Sequence, residues 1–159
     1  MNNTELFIMQ FYESISVICP YELSIMHIAE KLNMEVCFWN FGSAIAQFNG
    51  IHKMFINKRL SEQQQWQDFG HEMYHYFFDN TRYDLLKESY AEYGESKADY
   101  FAYHFCVPTF MLDNLKGVDV YNVMELFNVT YDFALKRIEM YENMSIARRN
   151  IYGERACEV

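Results

Sequence analysis

Residues 61–78 read SEQQQWQDFGHEMYHYFF. Ser61 followed three residues later by Gln64 is a capping-box signal, so a helix is expected to begin here and run to about Phe78. On that helix His71 and His75 stand four residues apart, and both imidazoles leave from one face. Two neutral ring nitrogens at that spacing can reach one Zn²⁺. Glu72 lies about 100° round the helix from His71, outside the ligand plane but able to reach a water beside the metal. This is the H-E-x-x-H arrangement. Two surface histidines flanking an acid would give the same string. A third ligand separates the two cases, because a catalytic zinc keeps three protein ligands and one open position.

Candidates for that ligand lie on the next expected helix, about Ser89 to Cys106, where Glu88, Glu92, Glu95 and Asp99 cluster. A run of acids is ordinarily a solvated face, but helical phase distinguishes its members. Ala91, Ala98, Ala102 and Phe105 form the apolar stripe. Glu95 borders that stripe, and Glu92 is turned roughly 60° further toward solvent. A carboxylate held against a packed face needs a partner, and a zinc ion is one. Gly94, Ala91 and Ala98 are small enough to let this helix approach the His71 helix closely. Asp99, one turn past Glu95, either takes the second N–H of a ligand histidine and fixes its tautomer or is a surface acid; phase alone leaves both open.

The strings DFGHEMYHYFF and ESKADYFAYHFCVP together resemble the ImmA/IrrE group of zinc metallopeptidases. That group pairs an H-E-x-x-H helix with a helix carrying Glu, then Ala-Asp or Ala-Asn, Phe-Ala and a closing Pro. The spacing from His75 to Glu95 and Asp99 also resembles the broader gluzincins. Phe55-Ile56-Asn57 fits the same group, and the resemblance covers about residues 22–115. Two departures are visible. Met73-Tyr74 stands where Leu-Gly is usual, and Lys97 where a Glu is frequent. Both bear on substrate fit and neither removes a catalytic group. The resemblance implies a zincin-like fold and a Zn²⁺ cofactor on His71, His75 and Glu95, with Glu72 as general base and Asp99 behind a ligand histidine. It also implies a substrate class: a cognate helix-turn-helix repressor, ImmR-like, that silences a mobile element, prophage or stress regulon.

Outward from the motif, residues 4–19 have a helical mix that Pro20 ends, and a second helix is expected from Glu22 to Leu32. Glu35–Phe41, Ala44–Phe48 and Ile51–Asn57 read as strands. Asn49-Gly50 is a two-residue hairpin signal between the last two. Asp79-Asn80 signals a turn, and residues 80–87 a loop. Short helices follow over about 109–115, 119–127 and 131–143. Two helices, a small antiparallel sheet and then only helices make an α+β pattern, not a βαβ one. The expected organisation is a metallopeptidase domain over 1–116, a helical pair over 117–146 packed on it or recognising a partner, and a loose tail over 147–159. The third strand is the expected docking edge for an extended peptide.

The chain has 159 residues, 51% of them hydrophobic and 18% aromatic, which argues against disorder over most of its length. No apolar run approaches the ~20 residues of a membrane span. Glu5 and Glu13 break up the first apolar clusters, so no secretory signal is read. Cys19, Cys37, Cys106 and Cys157 form no C-x-x-C pair. They read as reduced thiols of a cytoplasmic protein, with Cys106 in the core. His104 lies about 180° from Glu95 on its helix and is not assigned to the metal. His27 and His52 read as structural or surface residues. Tyr100 and Tyr103 could stabilise an oxyanion, but aromatics on a packed helix are more often core.

Residues 119–143 have the rhythm of a helix-turn-helix, which would make the chain a DNA-binding regulator; a helical hairpin packed on the core has the same rhythm. Charge favours the hairpin. Asp119, Glu125, Asp132, Glu139 and Glu142 face only Lys136 and Arg137, for a local net charge of −3 on a chain of −9. Phosphate contacts need a basic surface. A third possibility is a metal-stabilised anti-repressor that sequesters its partner without cutting it.

Overall fold

The computed structural model describes residues 2–78 and 88–155, with side chains at all of these except 88–92, 145 and 147–155. Helix α1 (Asn3–Ser14) starts on a capping box between Asn2 and Glu5. It ends earlier than Pro20, because Ser16 takes a left-handed φ of 58°. A 3₁₀ turn (Pro20–Glu22) follows, and the Glu22 carboxylate accepts from the Ile18 and Cys19 amides. Helix α2 (Ile25–Lys31) therefore begins at a fresh cap, Ser24. Strands β1 (Glu35–Trp39), β2 (Ala44–Phe48) and β3 (Ile51–Asn57) come next, then α3 (Glu62–Phe78) and α4 (Glu88–Cys106). Helices α5 (Thr109–Leu112), α6 (Val120–Phe127) and α7 (Tyr131–Arg155) complete the chain. Helix α7 runs well past 143, so the expected loose tail is helical as far as Arg155. The turn and loop expected over 79–87 lie outside the described residues, as does Cys157. Among the described residues no helix is long and apolar enough to cross a membrane.

The fold is α+β, with one correction to the sheet: it is mixed, not antiparallel. Its order is β1-β3-β2. Strands β2 and β3 are antiparallel through Asn49-Gly50, whose φ values of 49° and 83° are those of a tight hairpin turn. Strand β1 lies on the other side of β3 and runs parallel to it. The link between β1 and β2 crosses the end of β3, where the Lys58 amide donates to the Trp39 carbonyl and the Asn57 amide to the Ser43 hydroxyl. This makes β3 the central strand, so it offers no docking edge; β1 and β2 are the outer strands, and β2 is the one that lines the cleft described below.

Trp66, Phe69 and Met73 form the buried stripe of α3, and Ala98, Phe101, Ala102, Phe105 and Cys106 that of α4. The two helices touch closely at Gly70. A Cβ built there would stand 2.6 Å from Cys106 Sγ and 3.5 Å from Ala102 Cα. Cys106 is fully buried, and burial pushes its thiol well above the ordinary range. Helices α6 and α7 join the same core through Val123, Phe127, Phe133, Ala134 and Ile138.

A polar cluster sits inside this apolar body. The Thr109 hydroxyl donates to Glu5 at 2.5 Å and accepts from the Arg137 guanidinium at 2.7 Å, while Arg137 Nε donates to the Val107 carbonyl at 3.0 Å. His104 is buried beside Glu5, and burial pushes its imidazole down to about 3, so it is neutral at physiological pH. Arg137 is wholly inaccessible. One of the two bases of the would-be DNA-reading helix is thus an internal structural group.

Gly70→Ala is expected to lower stability by about 1–3 kcal/mol through overpacking. Adding Cys106→Ala, which removes the nearest clashing atom, should recover part of the loss. Thermal melting of the two single variants and the double variant checks this; strictly additive losses would mean that the two sites do not collide.

Candidate metal centre

Reciprocal hydrogen bonds between Ser61 and Gln64, at 3.1 and 3.2 Å, start α3 as a capping box. That fixed start sets the phase of every later residue on the helix. Asp68, Glu72 and Tyr76 recur every four residues and share the side of α3 that faces the sheet. Asp68 accepts from Ser43 at the start of β2, at 2.5 Å. Tyr76 meets the ring of His52 near the start of β3, with centroids 4.8 Å apart. Glu72 lies between these two ties.

His71 and His75 leave α3 toward α4, and Glu95 and Asp99 come from α4 to meet them. His71 Nε2 is 3.1 Å from one Glu95 oxygen and 3.3 Å from His75 Nε2; His75 Nε2 is 3.8 Å from the other Glu95 oxygen. The Nδ1 of His71 is 2.9 Å from Asp99. A proton on Nδ1, donated to Asp99, leaves Nε2 with its lone pair toward Glu95 and His75. Electron-rich atoms this close repel one another unless a cation or a proton lies between them. Among the described residues, His71, His75 and Glu95 form a group that could hold a metal ion, with ligand atoms all within 4.8 Å of one another. Ligands about 2.0–2.1 Å from a tetrahedral ion stand about 3.3 Å apart, which the observed separations bracket. The donor set of two imidazoles and one carboxylate fits zinc chemistry.

A cleft of about 510 Å³ opens over these residues, lined by Ser43 to Gln47 of β2 and its entry, by His52, by His71, Glu72, His75 and Tyr76, and by Glu95. Glu72 is inside it, largely out of solvent. Burial pushes its carboxyl up to about 7; His75 and His71 oppose the rise, and Asp68 and Glu95 add to it.

Of the residues singled out from sequence, His71, Glu72, His75, Glu95 and Asp99 are brought together here. The contrast drawn between Glu95 and Glu92 falls outside the described side chains at Glu92. Glu95 itself is exposed, so its carboxylate is not held against the packed face as the helical phase had suggested; it meets His71 and His75 at the edge of the cleft. Tyr100 is committed elsewhere, its hydroxyl accepting from Asn2 at 2.8 Å. Tyr103 packs on Phe133, with ring centroids 4.4 Å apart. His52, read from sequence as structural or surface, lines the cleft. The signal that could have found it is strand parity. Met54 and Ile56 of β3 are fully buried against the helices, so His52 two residues earlier faces the same way. Ser43, Asp68 and Gly70 were given no role from the sequence, since each acts through a partner distant in the chain.

The profile of a peptidase family described as the IrrE N-terminal-like domain matches residues 29–139. The phage-like element PBSX protein XkdA of Bacillus subtilis (strain 168) is 30% identical over 147 residues, covering 89% of this chain and 74% of its own. The uncharacterized protein YqaB of the same organism is 30% identical over 145 residues, covering 88% and 84%. The matched span contains both helices of the candidate metal centre and all three strands, and on that ground the chain belongs to the ImmA/IrrE peptidase family.

Proposed function

We propose that this protein is a zinc-dependent endopeptidase of gluzincin type that cleaves a helix-turn-helix repressor and so derepresses a mobile element, prophage or stress regulon. The observation that carries the proposal is the convergence of His71 Nε2, His75 Nε2 and the Glu95 carboxylate beside Glu72, on the floor of an open cleft. His71, His75 and Glu95 would hold the ion. When bound, zinc supplies Lewis acidity to the scissile carbonyl and to the attacking water. Glu72 takes the proton from that water as it attacks, then passes it to the leaving amine as the C–N bond breaks. Asp99 accepts the Nδ1 proton of His71 and so keeps Nε2 free as a ligand. The free edge of β2 forms one wall of the cleft, where an extended peptide can pair with it. The repressor substrate is supported by membership of the family and by a relative whose name places it on a phage-like element.

Substituting His71 or His75 by Ala is expected to remove most of about one zinc per chain, and Glu95→Ala to weaken binding; elemental analysis after dialysis measures it. Unchanged zinc in both histidine variants would refute the ligand set. Asp99→Ala should cost about 10–100-fold in zinc affinity.

Glu72→Gln should retain zinc but lose cleavage of the cognate repressor by about 10²–10⁴-fold, followed by mass spectrometry of the products. Retained binding by a wild type that cuts nothing would instead mean sequestration.

The same variant has a signature in the metal-free protein. Unfolded, Glu72 loses its proton near 4.3; folded, it holds it to about 7. Between those values the native state binds the extra proton, so stability falls as pH rises and then levels off. Glu72→Gln removes that loss. It is expected to be more stable than wild type at pH 8, on the order of 2 kcal/mol, and nearly equal to it at pH 4. Thermal melts at both pH values measure the difference, and a variant less stable at pH 8 would contradict it.

A further inference from the structure

The wall of the cleft beyond Glu72 carries two polar side chains that the proposed hydrolysis does not use. Gln47 of β2 and His52 of β3 are partners in the sheet register, so their side chains leave the same face of the sheet, side by side. Parity fixes that face. His52 shares its face with Met54 and Ile56, which are fully buried, and Gln47 shares its face with Ile45, the register partner of Met54. This is the face turned toward α3. Further along β3 it is filled by core. At the hairpin end it opens, and both side chains line the cleft together with Tyr76.

His52 is oriented there. The Tyr76 ring meets it edge to face, at 82° between planes. Among the described residues, neither the half-buried His52 nor the exposed Gln47 has a side-chain hydrogen bond to another protein group, whereas Ser43 in the same wall is engaged by Asp68 and Asn57 and Ile45 packs on the core. Two adjacent polar side chains in a concave site, one of them braced and neither engaged, are what a pocket uses to fix an incoming polar group.

We infer that Gln47 and His52 form a side-chain subsite of the cleft, which reads a substrate residue bearing an amide or a carboxylate next to the bond at Glu72. The inference rests on the peptidase proposal for its position but not for its chemistry. The Gln47 amide and the His52 ring each offer a donor, and a planar carbonyl-type group can accept from both. An aliphatic side chain would leave both donors facing it unpaired, which is the arrangement that discriminates between substrates.

The test is a positional-scanning peptide library, varied on each side of the cleaved bond and given to the zinc-loaded protein. At one position Asn, Gln, Asp or Glu should be favoured over Leu and Lys. In His52→Ala and in Gln47→Ala, the ratio of kcat/KM between the Asn and Leu peptides should fall by about 3–10-fold, the worth of one hydrogen bond. Equal losses for both peptides would overturn the inference, since they would mean a general catalytic or structural role; so would a preference for Leu or Lys. Binding of the same library to zinc-loaded Glu72→Gln, read by fluorescence anisotropy, separates the two proposals. A His52-dependent amide or carboxylate preference in binding, with no cleavage by wild type, would sustain the subsite and refute the endopeptidase. No preference in binding would refute the subsite.

Discussion

The contact between α3 and α4 at Gly70 governs the geometry of everything above it. With only a hydrogen at that position, the α3 backbone settles against Ala102, Phe105 and Cys106 of α4. Next to that contact lie His71 and His75 on one helix, and Asp99 and Glu95 lie about one and two turns before Ala102 on the other, so the distance between the helices sets the distance between donor groups. A wider gap would separate the carboxylate from the imidazoles by the same amount. Interiors pack at crystal-like density, which makes such a spacing stiff and not adjustable. The capping box at Ser61 then fixes rotation, and the Ser43–Asp68 tie fixes the sheet against the helix. Three small local devices therefore hold the spacing, phase and wall of one site.

Energetically the site opposes the fold that carries it. Two imidazoles and two carboxylates are crowded together, and a third carboxyl, Glu72, is held out of water at a cost in stability. Stability comes from elsewhere: the apolar stripes of α3 and α4, the aromatic packing of Phe7, Phe11 and Tyr12 of α1 onto them, and the C-terminal helices. A cation among the donors would relieve the crowding, so ion binding and folding should reinforce each other.

Much of this was legible in the sequence because it is local. The Ser61–Gln64 cap, the i, i+4 histidines and the Asn49-Gly50 turn are each set by neighbours in the chain. The phase of Glu95 and Asp99 follows from one helix alone. What could not be read depends on partners far away in sequence. Nothing in the alternation of β1 says that it pairs with β3 and not β2, because each pairing buries the same face. His52 looked like any half-exposed strand residue until α3 placed Tyr76 against it. Arg137 looked like a surface base, since only the assembled fold puts the Val107 carbonyl, Thr109 and the charge of Glu5 around it.

That internal arginine also joins distant parts of the chain. Glu5 precedes the site helices in sequence, and Arg137 follows them. Until synthesis passes residue 137, Thr109 and Glu5 have no guanidinium to meet. A chain ending before that residue would contain both metal-binding helices and still lack the cation that faces Glu5 and Thr109. The polar contacts beneath the site are thus completed by a residue that takes no part in its chemistry.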